Sequence, residues 1–215
     1  MRSIFTVILF LIGASAALAE ISIERGEYLV RGPAGCGNCH TPQGPGGPDM
    51  GNEFGGFMVE KSAAFEAWAP NITPSSRVAG WSDAEYGRAI REGIRPDGTV
   101  VGPPMPIGLY RGLSDDDLGS MVAFMRTVAP SDNQVPESTY NIPLPPAYGP
   151  PIDSVAAIPA GVTVEYGGYL AGPVAQGPEP VAQEKAFVHP LQIGHAPEDR
   201  PDVALEDRVG CGPDI

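Results

Sequence analysis

Cys36-Gly37-Asn38-Cys39-His40 constrains this chain more than any other stretch. In an exported protein, C-x-x-C-H is the pattern of covalent haem attachment. The spacing has a physical cause. Two thiols three residues apart lie about one helical turn from each other, so both reach the two vinyl groups on one haem edge. His40 follows directly and offers iron an imidazole ligand; the second axial ligand then decides whether the iron carries electrons or reacts. Two other chemistries use the same residue types. A zinc site needs four ligands, usually two close pairs, and the remaining cysteine, Cys211, stands far off and alone. A thioredoxin-like dithiol belongs in a βαβ setting, and no strand–helix alternation is present.

The N-terminus reads as an export signal. Arg2 gives a positive start, Ile4 to Ile12 is largely apolar, and Ala17-Leu18-Ala19 fits the small-residue cleavage rule. Cleavage is expected after Ala19, leaving a periplasmic protein. No later run approaches the roughly 20 apolar residues of a membrane-spanning helix, so any membrane association would be peripheral, through a complex. The formal charge of −13 argues against nucleic acid and anionic membranes as partners. Gly 28 and Pro 25 among 215 residues point to long irregular loops or a disordered part.

The chain then reads in order. Residues 21–30 suit a short helix in which Gly26 and Val30 share a face; a glycine there either permits close approach of another helix or belongs to an ordinary amphipathic turn. Gly32-Pro33-Ala34-Gly35 breaks it. Phe54, Phe57, Phe65 and Trp68 follow a Gly/Pro-rich loop at irregular spacing, either walling a haem pocket or packing without haem contact. Asn71, in Pro70-Asn71-Ile72-Thr73-Pro74, either holds its own turn, the preferred reading, or donates to a haem propionate. Ser82-Asp83-Ala84-Glu85 is a capping box, with a helix expected to end near Gly93. Trp81, just before it, either staples the helix start or bonds a propionate through its indole N–H. Ser114-Asp115-Asp116-Asp117 caps another helix, with Leu118, Met121, Val122 and Met125 on one face and an end near Val128.

Met105 lies in Val101-Gly102-Pro103-Pro104-Met105-Pro106. Proline fixes φ and removes N–H donors, so this segment resists helix and can present a thioether at fixed reach. A methionine axial ligand raises the haem potential relative to two histidines. Elimination leaves Met105 among six methionines. Met1 leaves with the signal. Met50 and Met58 follow His40 closely, and Met121 and Met125 belong to a core stripe. The competing reading is a methionine that merely packs.

After Pro130 the composition turns proline-rich and loses helical period, as in an extended strap or linker. The expected organisation is a signal over 1–19, a haem domain over 20–130, a strap over 131–162 and a degenerate repeat over 163–215. The repeat rests on Tyr166-Gly167-Gly168-Tyr169-Leu170, which echoes Arg25-Gly26-Glu27-Tyr28-Leu29; the competing reading is chance similarity in a Gly/Tyr-rich stretch. No second C-x-x-C-H follows Ala175, and the tail to Ile215 has the composition of a disordered segment. His189, His195 and Cys211 fall in it, scattered and unlike a ligand set.

The run from Glu24 to Pro150 resembles the first haem domain of multi-haem cytochrome c subunits of bacterial membrane-bound alcohol, sorbitol and gluconate dehydrogenases. The matching motifs are Gly26-x-Tyr28-Leu29, Cys36-x-x-Cys39-His40-Thr41-Pro42, Ala69-Pro70-Asn71-Ile72-Thr73-Pro74, Gly80-Trp81-Ser82, Gly93-x-Arg95-Pro96-Asp97-Gly98 and Pro104-Met105-Pro106. The resemblance implies a small all-α cytochrome c fold. It implies one haem c linked at Cys36 and Cys39, with axial ligands His40 and Met105. By analogy it implies a single-electron carrier, not an enzyme, working between a dehydrogenase and an oxidase or other respiratory acceptor. Two alternatives remain: a haem enzyme or sensor with an open sixth site, and a truncated, non-functional fragment of a longer subunit.

Overall fold

The computed structural model describes residues 21–175. The expected export signal and the tail beyond residue 175, with His189, His195 and Cys211, lie outside the described residues. No described helix is long and apolar enough to cross a membrane.

Two helices frame the core. Helix α1, Ile23–Arg31, starts at Ser22, whose Oγ accepts from the Arg25 N–H at 3.2 Å. It stops at Gly32, whose N–H bonds the Tyr28 carbonyl. Helix α5, Asp115–Met125, is capped by Ser114, whose Oγ accepts from the Asp117 N–H at 3.2 Å. Three aspartates in its first turn face the positive end of the helix dipole. The stripe of Leu118, Met121, Val122 and Met125 is buried, and it meets Leu29 and Val30 of α1 in one core. Full burial of a side chain of this size is worth about 1.5–3 kcal/mol. Arg25 fixes the pairing with two bonds of 2.8 Å to the Asp117 carboxylate.

Helix α3, Asp83–Arg91, carries both halves of the expected capping box: the Ser82 N–H donates to Glu85 Oε2 at 2.7 Å, and the Glu85 N–H donates to Ser82 Oγ at 3.3 Å. Arg126, just past α5, ties the two helices together. It bonds the Val78 carbonyl at 2.7 Å, the Trp81 carbonyl at 2.5 Å and Asp83 at 3.0 Å. Two four-residue turns add to the helical part: α2, Gly37–His40, and α4, Ile107–Tyr110.

The chain is not all-α, which corrects the expectation. Strands β1, Gln43–Gly44, and β2, Gly47–Pro48, form a small hairpin. Strands β3, Phe57–Lys61, and β4, Phe65–Ala69, form a second one, pairing Phe57 with Ala69 and Lys61 with Glu66 and slipping register between Met58 and Glu60. Strand β5, Thr139–Tyr140, adds to the free edge of β4, pairing Phe65 with Tyr140. The sheet escaped the sequence for a physical reason. Its buried positions are Ala67 and Ala69, too small to give a strand the alternation of large apolar residues that announces it.

Of the degenerate repeat expected over 163–215, the described part is ordered: Val164–Tyr169 form helix α6 and Leu170–Val174 a π-type turn. Tyr169 and Val174 are buried. The Tyr169 hydroxyl donates to Asp117 Oδ2 at 2.7 Å and accepts from the Ser114 N–H at 3.2 Å. Between these parts, residues 131–162 contain no helix and run over the surface, anchored at a few polar points. One is a reciprocal pair: the Asp115 N–H bonds the Val155 carbonyl at 2.9 Å, and the Val155 N–H bonds Asp115 Oδ2 at 3.2 Å.

Candidate haem site

The C-x-x-C-H segment folds as one turn directly behind α1. Gly35 adopts φ +55°, which lets the chain reverse. The Cys36 N–H then bonds the Val30 carbonyl at 3.0 Å, and the His40 N–H bonds the Cys36 carbonyl at 3.0 Å. Cys36 and Cys39 therefore stand one turn apart, the first half-buried and the second exposed.

His40 is buried, and its Nδ1 lies 2.8 Å from the carbonyl oxygen of Pro70. A carbonyl can only accept, so Nδ1 carries the proton and Nε2 keeps its lone pair for a metal. Burial lowers the imidazole's affinity for a second proton, and the bond to Pro70 opposes this. The net direction favours the neutral, ligating form. The segment 41–56 brings Pro70 here. Gly56 N–H bonds the His40 carbonyl at 2.7 Å, and Ile72 N–H bonds the Phe54 carbonyl at 3.0 Å. A Cβ on Gly56 would lie 2.7 Å from the Asn71 nitrogen, so the two backbones touch.

Cys36, Cys39 and His40 line a largely apolar cavity of about 360 Å³. Val30, Met121 and Met125 close it from the core helices; Ala67, Trp68, Ala69 and Pro70 close it from the sheet; Trp81, Tyr86 and Ile90 close it from the α3 side. The segment Val101–Pro106 supplies Met105, half-buried and packed on the core. Met50 and Met58 are 62% and 37% exposed and do not line the cavity. Met121 and Met125 are buried as the stripe predicts, yet they also reach the cavity wall, which periodicity alone did not reveal.

Other expected site residues separate clearly. Of the four aromatics, Trp68 lines the cavity, whereas Phe54 is fully buried elsewhere in the core. Asn71 holds its own turn. Its Oδ1 accepts from the Thr73 N–H at 2.9 Å, and its Nδ2 donates to the Ser131 and Asn133 carbonyls at 2.6 and 3.1 Å. Both amide hydrogens are thereby used within the protein. Trp81 lines the cavity and meets Tyr86 edge-on at 6.3 Å between ring centroids. Sequence reasoning missed two cations on the cavity rim, Arg77 and Arg95. Arg77 pairs with Glu137, and Arg95 bonds Thr99 Oγ1 at 3.1 Å and the Val100 carbonyl at 2.8 Å. In the sequence Arg95 stands out only as part of the Gly93-x-Arg95-Pro96-Asp97-Gly98 motif, and no local signal marks it as a cavity-lining cation.

The donor set fits haem c and fits the competing chemistries poorly. Burial pushes the Cys36 thiol up to about 12, and burial also raises Cys39. A redox dithiol works through a lowered thiol pKa. Among the described residues no cluster of three or more His, Cys, Asp or Glu side chains is arranged to hold a metal ion. A flat, apolar macrocycle with two acidic arms matches an apolar slot that has two sulfurs and an imidazole on one wall and two arginines on its rim.

Comparison with known proteins agrees with this geometry. Residues 23–129 match the family Cytochrome c. Over 125 residues the chain is 35% identical to the fructose dehydrogenase cytochrome subunit of Gluconobacter japonicus, covering 57% of this chain and 24% of that protein. It is 34% identical to the cytochrome c subunit of the quinone-dependent alcohol dehydrogenase of Gluconobacter oxydans, over 56% of this chain and 25% of that one. It is 31% identical to the gluconate 2-dehydrogenase cytochrome c subunit of Pantoea cypripedii, over 60% of this chain and 30% of that one. The matched stretch covers only 24–30% of the length of these relatives. The motif at Cys36–His40, the oriented imidazole, the apolar slot and the family match converge, and residues 23–129 form a domain of the cytochrome c family.

Proposed function

We propose that this protein is a periplasmic, single-haem electron carrier, exported with cleavage after Ala19. Cys36 and Cys39 would hold the haem covalently, and His40 Nε2 and the Met105 thioether would ligate its iron. The haem, when bound, supplies a one-electron ferric–ferrous couple. The protein's part is positional and electrostatic. Pro70 holds the His40 ring in one tautomer and one orientation. The thioether raises the potential relative to a second imidazole. The apolar walls exclude water, and Arg77 and Arg95 offer positive charge to the propionates. None of these groups takes or gives a proton during transfer, so the chain does no bond-making chemistry of its own.

Electrons would pass from a dehydrogenase to an oxidase or other respiratory acceptor. Support for this comes from relatives that are cytochrome subunits of fructose, alcohol and gluconate dehydrogenases. The single observation that carries the reading is the His40 Nδ1 bond to the Pro70 carbonyl beside a cavity that also receives Met105.

The test is an optical spectrum of protein purified from the periplasm, in both oxidation states, with and without carbon monoxide. A methionine–iron charge-transfer band in the ferric form, no carbon monoxide shift, one haem per chain and an N-terminus at Glu20 are expected. Ready carbon monoxide binding would instead favour an open-site enzyme or sensor. Colour lost in acid–acetone would leave a fragment without covalent haem.

A further inference from the structure

The segment carrying Met105 makes few hydrogen bonds of its own, because three of its residues, Pro103, Pro104 and Pro106, lack a backbone donor. Its carbonyls are instead held from outside. Tyr148 donates to the Val101 carbonyl at 2.7 Å, and Tyr140 donates to the Pro103 carbonyl at 2.9 Å. Both tyrosines lie in the 131–162 segment. The Tyr140 ring also presses on the loop: a Cβ on Gly102 would stand 2.3 Å from Tyr140 Cζ. Tyr140 is itself fixed. It pairs with Phe65 in the β4–β5 ladder, with ring centroids 5.8 Å apart. Two residues earlier, Ser138 Oγ accepts from the Trp68 N–H at 2.9 Å and donates to the Trp68 carbonyl at 3.1 Å. Strand β4 leads directly into Pro70, whose carbonyl holds His40.

We propose that Tyr140 is a positioning residue for the sixth ligand, and that the strap is a clamp tying the Met105 loop to the strand that orients His40. This rests on the reading of Met105 as axial ligand. A loop with no ladder of its own would let its thioether leave the metal easily. The Tyr140 hydroxyl and ring remove that freedom, and a strap that reads as a passive linker becomes part of the ligand field. One hydrogen bond of about 1 kcal/mol corresponds to about a five-fold change in an equilibrium. Removing the hydroxyl should therefore raise the population with the thioether detached by about that factor.

The experiment uses full-length, haem-loaded ferric protein and titrates external imidazole, which competes with Met105. Wild type, Tyr140→Phe, Tyr148→Phe and Tyr169→Phe are compared. Tyr169 lies away from the loop and reports loss of stability alone. The expected result is about five-fold tighter imidazole binding in Tyr140→Phe, a smaller rise in Tyr148→Phe and wild-type affinity in Tyr169→Phe. Unchanged affinity in Tyr140→Phe, or an equal rise in Tyr169→Phe, overturns the clamp. If Tyr140→Phe does not retain haem, Tyr148→Phe decides alone: a rise supports the clamp and wild-type affinity overturns it. A wild-type ferric spectrum without the methionine–iron band marks failure of the axial-ligand reading instead.

Discussion

A Cβ on Gly26 would stand 1.9 Å from the carbonyl oxygen of Ser120, so α1 and α5 meet backbone to backbone. The closeness carries the Cys36–His40 turn, which follows α1 directly, up against the wall formed by Met121 and Met125. Gly26→Ala must push the helices apart, because the obstacle is backbone and not a side-chain tip. A loss of about 3 kcal/mol is expected, the upper part of the usual range for overpacking. Guanidinium denaturation of haem-loaded protein measures it.

Met105 and Met121 both reach the cavity, and their substitutions should separate. Met105→Ala should abolish the methionine–iron band, lower the reduction potential and admit imidazole or carbon monoxide. Met121→Ala should keep the band and cost about 2–5 kcal/mol of stability, as for a buried methionine truncated in a core. Spectra and potentiometry of the two variants side by side check the assignment. A band surviving in Met105→Ala would mean that another residue ligates.

Asn71 joins the turn after Pro70 to the start of the strap through the Ser131 and Asn133 carbonyls. Asn71→Ala removes the side-chain partner of the Asn133 carbonyl and of the Thr73 N–H, while Ser75 Oγ still donates to the Ser131 carbonyl at 2.6 Å. The expected cost is about 2–3 kcal/mol, seen as a lower denaturation midpoint. The potential should stay near wild type, because the Asn71 amide has no hydrogen left for a propionate.

Tyr169 links the C-terminal helix to the start of α5. Its hydroxyl bonds the ionised Asp117, which Arg25 also holds. Tyr169→Phe should cost about 1.5–3 kcal/mol, the range for a hydrogen bond to a charged group. Limited proteolysis should then cut first between 150 and 175, while haem ligation is retained.

Glu85 gives a pH signature. The backbone N–H and hydroxyl of Ser82 hold its carboxyl below the ordinary value of 4.5. A group whose pKa falls on folding stabilises above its unfolded pKa, and that contribution disappears as pH drops through the folded value. Wild type should therefore exceed Glu85→Ala in denaturation midpoint at pH 7, and the difference should shrink steadily below about pH 4.5. A difference independent of pH would mean that the carboxylate charge plays no part in the cap.

Local chemistry is legible in the sequence. The Cys36–His40 turn, the Ser82–Glu85 box, the Ser114 cap and the Met121–Met125 stripe each depend on residues within one or two helical turns. A spacing therefore states the geometry outright. Gly26 was legible only in part, because a glycine on a helix face fits a close neighbour or an ordinary amphipathic turn, and the approach of the Ser120 carbonyl decides between them. The strands were not, since Ala67 and Ala69 leave room for a cofactor and so erase the alternation by which a strand is recognised. The tail's first turn was not either. Tyr169 and Val174 find their burial on α4 and α5, about 50 residues back, and nothing in their neighbours announces it.

The sequence by itself determined which groups the candidate site can offer: two thiols at Cys36 and Cys39, the His40 imidazole and the Met105 thioether among prolines. Only the tertiary structure decided how they are held. Pro70 orients His40 from 30 residues away, and Tyr140 grips the Pro103 carbonyl from 37 residues away. A proline carbonyl and a tyrosine hydroxyl look the same in sequence whether or not anything meets them. Their roles exist only once folding has brought the partners within 3 Å.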